Sequence, residues 1–165
     1  MYFAMKMGNY PNMSGNMDDF DRAILRALQA DSSQSVEQLA ERVNLSRNAC
    51  WRRVKNLQQS GVIKAQVALV DAEAVDLGLT VLVLVRTNEH AADWAEKFRK
   101  AVHAMPEITG AYRMSGDLDY VLRVCVRDVK SYDAFYQRLT KRLRLSDISA
   151  SFVMEEIKET TALPL

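Results

Sequence analysis

The stretch Ser35–Gly61, SVEQLAERVNLSRNACWRRVKNLQQSG, narrows the choice of fold more than any other. Val36, Leu39, Ala40 and Val43 recur at helical spacing and give a first helix one apolar face. Asn44-Leu45-Ser46 breaks that period, with Leu45 placed to plug the gap between two helices. Ser46 suits an N-cap, because its hydroxyl can accept a backbone N–H of the following turn. A second helix is predicted from Arg47 to Ser60, ended by Gly61 in the position where a left-handed residue closes a helix. Cys50, Val54 and Leu57 recur at i, i+4 and i+7 and form its buried stripe. The other face carries Asn48, Trp51, Arg52, Lys55 and Gln59, and no Asp or Glu occurs between Val43 and Val70.

Such a helix suits the major groove of DNA. There Arg and Lys meet phosphate or guanine, and Asn and Gln meet adenine. Basic helix faces are also common as merely solvated surfaces, but the missing acids favour a phosphate partner. Upstream, Asp18 or Asp19 can cap a helix running to about Ala30, with Phe20, Ile24, Leu25 and Leu28 as its stripe. Asp31-Ser32-Ser33-Gln34 is a polar break, and Ser35 caps the next helix. Residues 17–64 therefore read as a tri-helical, winged-helix-like helix-turn-helix domain whose third helix is the reader. The DNA-facing candidates are Ser35, Ser46, Arg47, Asn48, Trp51, Arg52, Lys55 and Lys64. Residues 1–16, polar and rich in Met and Asn, read as a mobile N-terminal arm and lack the long apolar core of a signal peptide.

The second half has another period. Gln66–Val70 alternates and predicts a short strand within a linker of residues 65–78, followed by a helical turn ended by Gly78. Leu79–Val85, LTVLVLV, is nearly continuous apolar β sequence. An amphipathic helix follows over Ala92–Met105, ended by Pro106, then a strand over Ile108–Met114. Ser115–Asp119 is a hairpin connection, Tyr120–Val126 a third strand, Val129–Leu143 a second helix, and Ile148–Ile157 a last strand. The order β-α-β-β-α-β makes residues 79–165 a ferredoxin-like domain and the whole chain α+β. Helices cover one sheet face only, yet the first strand is apolar on both sides. The bare face calls either for a two-fold partner packed sheet to sheet or for the linker strand folded over it.

Charge is uneven. Residues 17–64 hold eight Lys/Arg against six Asp/Glu, and residues 65–165 hold thirteen against fifteen, within a net charge of +1. Cys50 and Cys125 lie on apolar faces and read as buried thiols, with no disulfide framework indicated. His90 and His103 lack the spacing of a metal site, and neither a cofactor nor a catalytic constellation is expected. No apolar run approaches the roughly 20 residues of a membrane span, so no membrane partner is expected and a cytoplasmic location is.

Both halves together resemble the Lrp/AsnC family, the leucine-responsive or feast/famine transcription regulators. The pieces are D-x-x-I-L-x-x-L at Asp21–Leu28, L-A at Leu39-Ala40, L-S at Leu45-Ser46, R-V-K-x-L at Arg53–Leu57, and G-V-I at Gly61–Ile63. To these are added G-D-x-D-Y at Gly116–Tyr120 and an end that resembles the subset closing in T-T-x-L-P. The chain departs at Ala65-Gln66, where many members have Gly-Tyr after the G-V-I-x, and at Ala49, where the subset often has Pro. The resemblance implies a DNA-binding regulator of amino-acid metabolism or transport. It further implies a homodimer that assembles to an octamer and binds an amino acid near the hairpin.

The hairpin suits such a ligand. Gly116 admits close backbone approach, and Asp117 and Asp119 can pair with an α-ammonium group. Ser149 and Ser151 can add hydrogen bonds, and Met114 and Tyr120 complete the effector-binding candidates. Gly-Asp is equally good turn chemistry with solvated carboxylates. Two other functions fit parts of the pattern: an amino-acid-binding regulatory subunit of an enzyme, and an architectural DNA binder indifferent to sequence.

Overall fold

The computed structural model describes residues 17–165 apart from residue 90, so the expected arm and His90 lie outside the described residues. Two compact units result. One reaches to Ala68 and includes Glu159–Leu165, and the other is Leu69–Lys158.

The first unit holds α1 (Asp19–Ala30), α2 (Val36–Arg42) and α3 (Arg47–Gln59). Asp18, rather than Asp19, caps α1, accepting the Asp21 N–H at 2.9 Å. Ser35 and Gln38 exchange side-chain and backbone bonds in a full capping box on α2. Asn44 (φ 54°) turns the chain between α2 and α3, and Gly61 (φ 77°) ends the last helix. Ile24, Leu39, Ala40, Val43, Cys50 and Leu57 form the buried centre. Phe20 departs from the expected stripe. It is 45% exposed, because the first turn of α1 lies beyond that centre, and its ring lies under the Arg53 guanidinium at 5.5 Å instead.

The second unit is a four-stranded antiparallel sheet of β1 (Leu79–Arg86), β2 (Ile108–Arg113), β3 (Tyr120–Val126) and β4 (Asp147–Phe152), in the order β2-β3-β1-β4. Helices α4 (Ala92–His103) and α5 (Val129–Arg142) cover one face. Under them Val81, Val83, Val85, Leu122, Val124 and Val126 meet Trp94, Phe98, Phe135 and Leu139. The opposite face presents Leu82, Leu84, Val121 and Tyr112, with Thr80, Ser149 and Ser151 beside them.

Two expected strands are corrected. Residues 65–78 form no strand, only a single 3-10 turn at Glu73–Val75, because among the described residues no strand lies beside them to complete a ladder. Val67, Leu69 and Val70 are accordingly exposed. The last strand stops at Phe152 rather than Ile157. Its neighbour β1 begins at Leu79, so the Val153 N–H to Thr80 carbonyl bond (3.0 Å) is the final rung available. The segment beyond Lys158 does not stay with the sheet but joins the first unit.

Candidate nucleic-acid and effector sites

Helix α3 divides its side chains sharply. Cys50 and Leu57 are buried and Val54 half-buried, while Arg47, Asn48, Trp51, Arg52, Lys55 and Gln59 are exposed. Ser46 starts the helix by accepting the Ala49 N–H at 3.3 Å. The Lys55 ammonium lies 4.7 Å from the centre of the Trp51 ring, one helical turn back. This cation–π contact holds a cation and a flat apolar ring together on the outer face. Arg47 is braced by an ion pair to Glu37 of α2. Both members are more than half exposed, so the pair contributes little stability and can be exchanged for a phosphate. Its own backbone N–H, the Ser35 hydroxyl and Arg47 keep the Glu37 carboxyl below its ordinary value. The acid-free stretch of α3 is thus bordered by one acid that only the fold brings near. Ser35 and Lys64 are exposed, and the Ser35 oxygen already accepts the Gln38 N–H at 3.2 Å.

Arg53 was not among the candidates, and it turns the other way from Arg52. Its Nη1 lies 2.8 Å from both Asp18 Oδ2 and Asp21 Oδ1, locking α3 to the first turn of α1. Hydrogen bonding to Asp21 is the main cause raising its pKa above the ordinary arginine value. The sequence signal was its place three residues after Cys50, on the flank of the buried stripe.

In the second unit one end of the sheet gathers the hairpin tip. Met114 donates its N–H to the Asp119 carbonyl (2.8 Å), and Asp119 donates its own to the Val85 carbonyl (3.1 Å). Asp119 Oδ2 accepts the Thr87 N–H at 2.8 Å, so this carboxylate already closes the sheet end, and among the described residues its other oxygen has no hydrogen-bond donor. Arg86 links three segments there. Its Nε donates to the Asp117 carbonyl (2.9 Å) and its Nη1 to Asp147 Oδ2 (2.9 Å). Gly116 stands at φ +104° with open space where a Cβ would sit, so glycine is required by the backbone and not by crowding. Met114, Gly116 and Asp117 are exposed and lie together at this tip. Ser149 and Ser151 lie on the open sheet face, opposite Leu84 and Leu82. Tyr120 is separated from them. Its ring packs 4.2 Å from that of Phe98 and 5.8 Å from that of Trp94 on the helix side, so it is a core residue whose backbone alone belongs to the tip.

Among the described residues no group of three or more His, Cys, Asp or Glu side chains is placed to hold a metal ion, and no helix is long and apolar enough to cross a membrane. Cys50 is buried, and burial pushes its thiol pKa up, whereas Cys125 is half-buried beside Thr80 and Thr109.

Comparison with known proteins covers both units. Residues 17–64 match the family model for a winged helix-turn-helix DNA-binding domain, and residues 80–163 match that for the Lrp/AsnC ligand binding domain. The chain is 44% identical over 153 residues to the glutamate uptake regulatory protein of Zymomonas mobilis, covering 93% of each. An AsnC family transcriptional regulator from Agrobacterium tumefaciens superposes with a TM-score of 0.87 at 47% identity, over 90% of this chain and 97% of that one. A transcriptional regulator from Neisseria meningitidis, solved as a complex with L-Met, superposes with a TM-score of 0.85 at 34% identity, over 89% and 96%.

Proposed function

This chain belongs to the Lrp/AsnC family of transcription regulators, and on that premise we propose how its two units divide the work. Helix α3 enters the major groove of duplex DNA, with Asn48, Trp51 and Arg52 toward base edges. Arg47, Lys55, Lys64 and the hydroxyls of Ser35 and Ser46 lie toward phosphates. A free amino acid binds at the hairpin end of the sheet and shifts that affinity. Its ammonium pairs with Asp117 or the uncommitted oxygen of Asp119, and its carboxylate meets backbone N–H groups of the tip. The L-Met complex of the Neisseria relative and the name of the Zymomonas relative support an amino acid as effector and genes of amino-acid metabolism or transport as targets.

The assembly is a homodimer formed through Leu82, Leu84, Val121 and Tyr112 on the open sheet face, and four such dimers make the octamer. A cytoplasmic location follows from the DNA partner. The single observation that carries the DNA reading is the outer face of α3, where cations, amides and an indole are exposed and no acid of the helix opposes them. The test is selection of duplexes from a random-sequence pool, followed by titration of the selected duplex with wild type and Arg52→Ala. A lost base contact costs about 1–3 kcal/mol and relaxes preference at one position, whereas a lost phosphate contact weakens all sequences alike. Unchanged binding to selected and random duplexes would remove Arg52 from the interface.

A further inference from the structure

We propose that the C-terminal segment Glu159–Leu165 is a strap that docks on the outer side of α1 of its own chain and is part of the folded DNA-binding unit. This inference stands on contacts within that unit and does not depend on which ligand the chain senses. Gln29, on α1, pairs with the strap backbone in both directions. Its Oε1 accepts the Leu163 N–H at 2.6 Å, and its Nε2 donates to the Leu163 carbonyl at 3.1 Å. A primary amide thus satisfies one strap residue as a neighbouring β-strand would. One turn earlier on the same helix, Arg26 Nη1 donates to the Leu165 carbonyl at 3.1 Å. Leu165 is half-buried and packs against the apolar centre of the unit, while the Leu163 side chain stays exposed.

The sequence of the strap favours this conformation before it docks. Pro164 fixes its own φ and has no N–H to leave unpaired between the two contact residues. Thr160 Oγ1 accepts the Ala162 N–H at 3.1 Å, which shapes the turn into the docked stretch. Fewer conformations are lost on docking than for a free polar tail. The strap follows β4 through residues 153–158, so the chain leaves the first unit after Ala68 and re-enters it at Glu159. The surface around Arg26 and Gln29 is therefore a peptide dock whose occupant is the chain's own Leu163-Pro164-Leu165.

Amide hydrogen exchange on the full-length chain tests this, read on the strap and on α1, for wild type, Gln29→Ala and Gln29→Glu. Wild type is expected to show the Leu163 amide slowed about tenfold or more relative to an unstructured peptide. Gln29→Ala, a change at a half-exposed position, is expected to abolish that protection while α2 and α3 stay protected. Gln29→Glu keeps the acceptor and loses the donor, so it should retain part of the protection. A Leu163 amide exchanging at the unstructured rate in wild type would overturn the proposal, and so would protection indifferent to Gln29→Ala. Copies of the chain deleted for residues 161–165, mixed with the Gln29→Ala copy, separate own-chain from swapped docking. Protection restored to the Gln29→Ala strap in the mixture would mean that the strap seats on a second copy, which contradicts the own-chain dock.

Discussion

Arg52 and Arg53 are neighbours in sequence with opposite duties. Arg52 points outward, and Arg53 bridges two carboxylates of α1. Arg53→Ala is expected to destabilise the DNA-binding unit by about 1–2 kcal/mol, a charge-assisted pair discounted for partial exposure. Arg52→Ala should stay within about 0.5 kcal/mol of wild type. Thermal melting of the two variants checks this, and equal melting temperatures would contradict the division. The same clamp sets a pH response. The Asp21 N–H, and after it Arg53, hold the Asp18 carboxyl below its ordinary value of 3.8. A carboxyl depressed on folding adds stability that is complete above that value and is lost as pH falls through and below it. Asp18→Asn should therefore flatten the loss of stability below about pH 4, and acid titrations followed by melting would read the difference. An unchanged acid slope would mean that other carboxyls set it. Asp18 as a cap was legible in the sequence, since capping is local. The Arg53 bridge was not, because it joins residues thirty-two and thirty-five positions apart. Asp119 teaches the same lesson, for its bond to the Thr87 N–H depends on β1 and the hairpin meeting at one sheet end.

At the scale of elements, helix ends and turns read correctly because their chemistry lies within a few residues. Ser35, Ser46 and Gly61 all act where the pattern put them. Gly61→Ala forces a Cβ into a left-handed conformation, with nothing within 4 Å to clash, so only backbone strain opposes it. The expected cost is about 1–2 kcal/mol, read as a lower melting temperature. No loss would show that α3 can end another way. Strands read less well, because a strand exists only where a neighbour completes its ladder. Gln66–Val70 alternates like a strand but has no partner strand among the described residues. Residues 153–157 lie past the last Cα pair of β4, Phe152 with Val81, and break its alternation with Met154 beside Val153 and Glu156 beside Glu155. Phe20 fitted the period of α1 and still lies outside its core, since periodicity fixes a face and not how far the opposing layer extends.

At the scale of the molecule, the two-unit plan and the ferredoxin-like strand order were legible from the change of period near Leu79. The return of Glu159–Leu165 to the first unit was not, because contiguity in sequence argued for the nearer sheet and Gln29 looks like any solvated helix residue. The candidate sites were legible as residue types rather than as arrangements. The outer face of α3 emerged whole, whereas the effector set divided between hairpin tip, open sheet face and, for Tyr120, the core. The open face of Leu82, Leu84, Val121 and Tyr112 makes a dimer the expected solution state. Leu84→Arg should shift it toward monomer in light scattering by placing a charge in an apolar contact. A wild-type monomer at micromolar concentration would remove that interface.

The central claim joins the two units: DNA affinity set by an amino acid. Fluorescence anisotropy of the full chain on its selected duplex, repeated with each common amino acid, tests it most directly. The account predicts that at least one amino acid changes the apparent Kd by roughly 5–150-fold, the range of ordinary allosteric coupling. It also predicts that Asp119→Asn weakens that response while leaving DNA affinity without the amino acid unchanged. A chain that selects no sequence, or one whose Kd is the same with every amino acid, would contradict it.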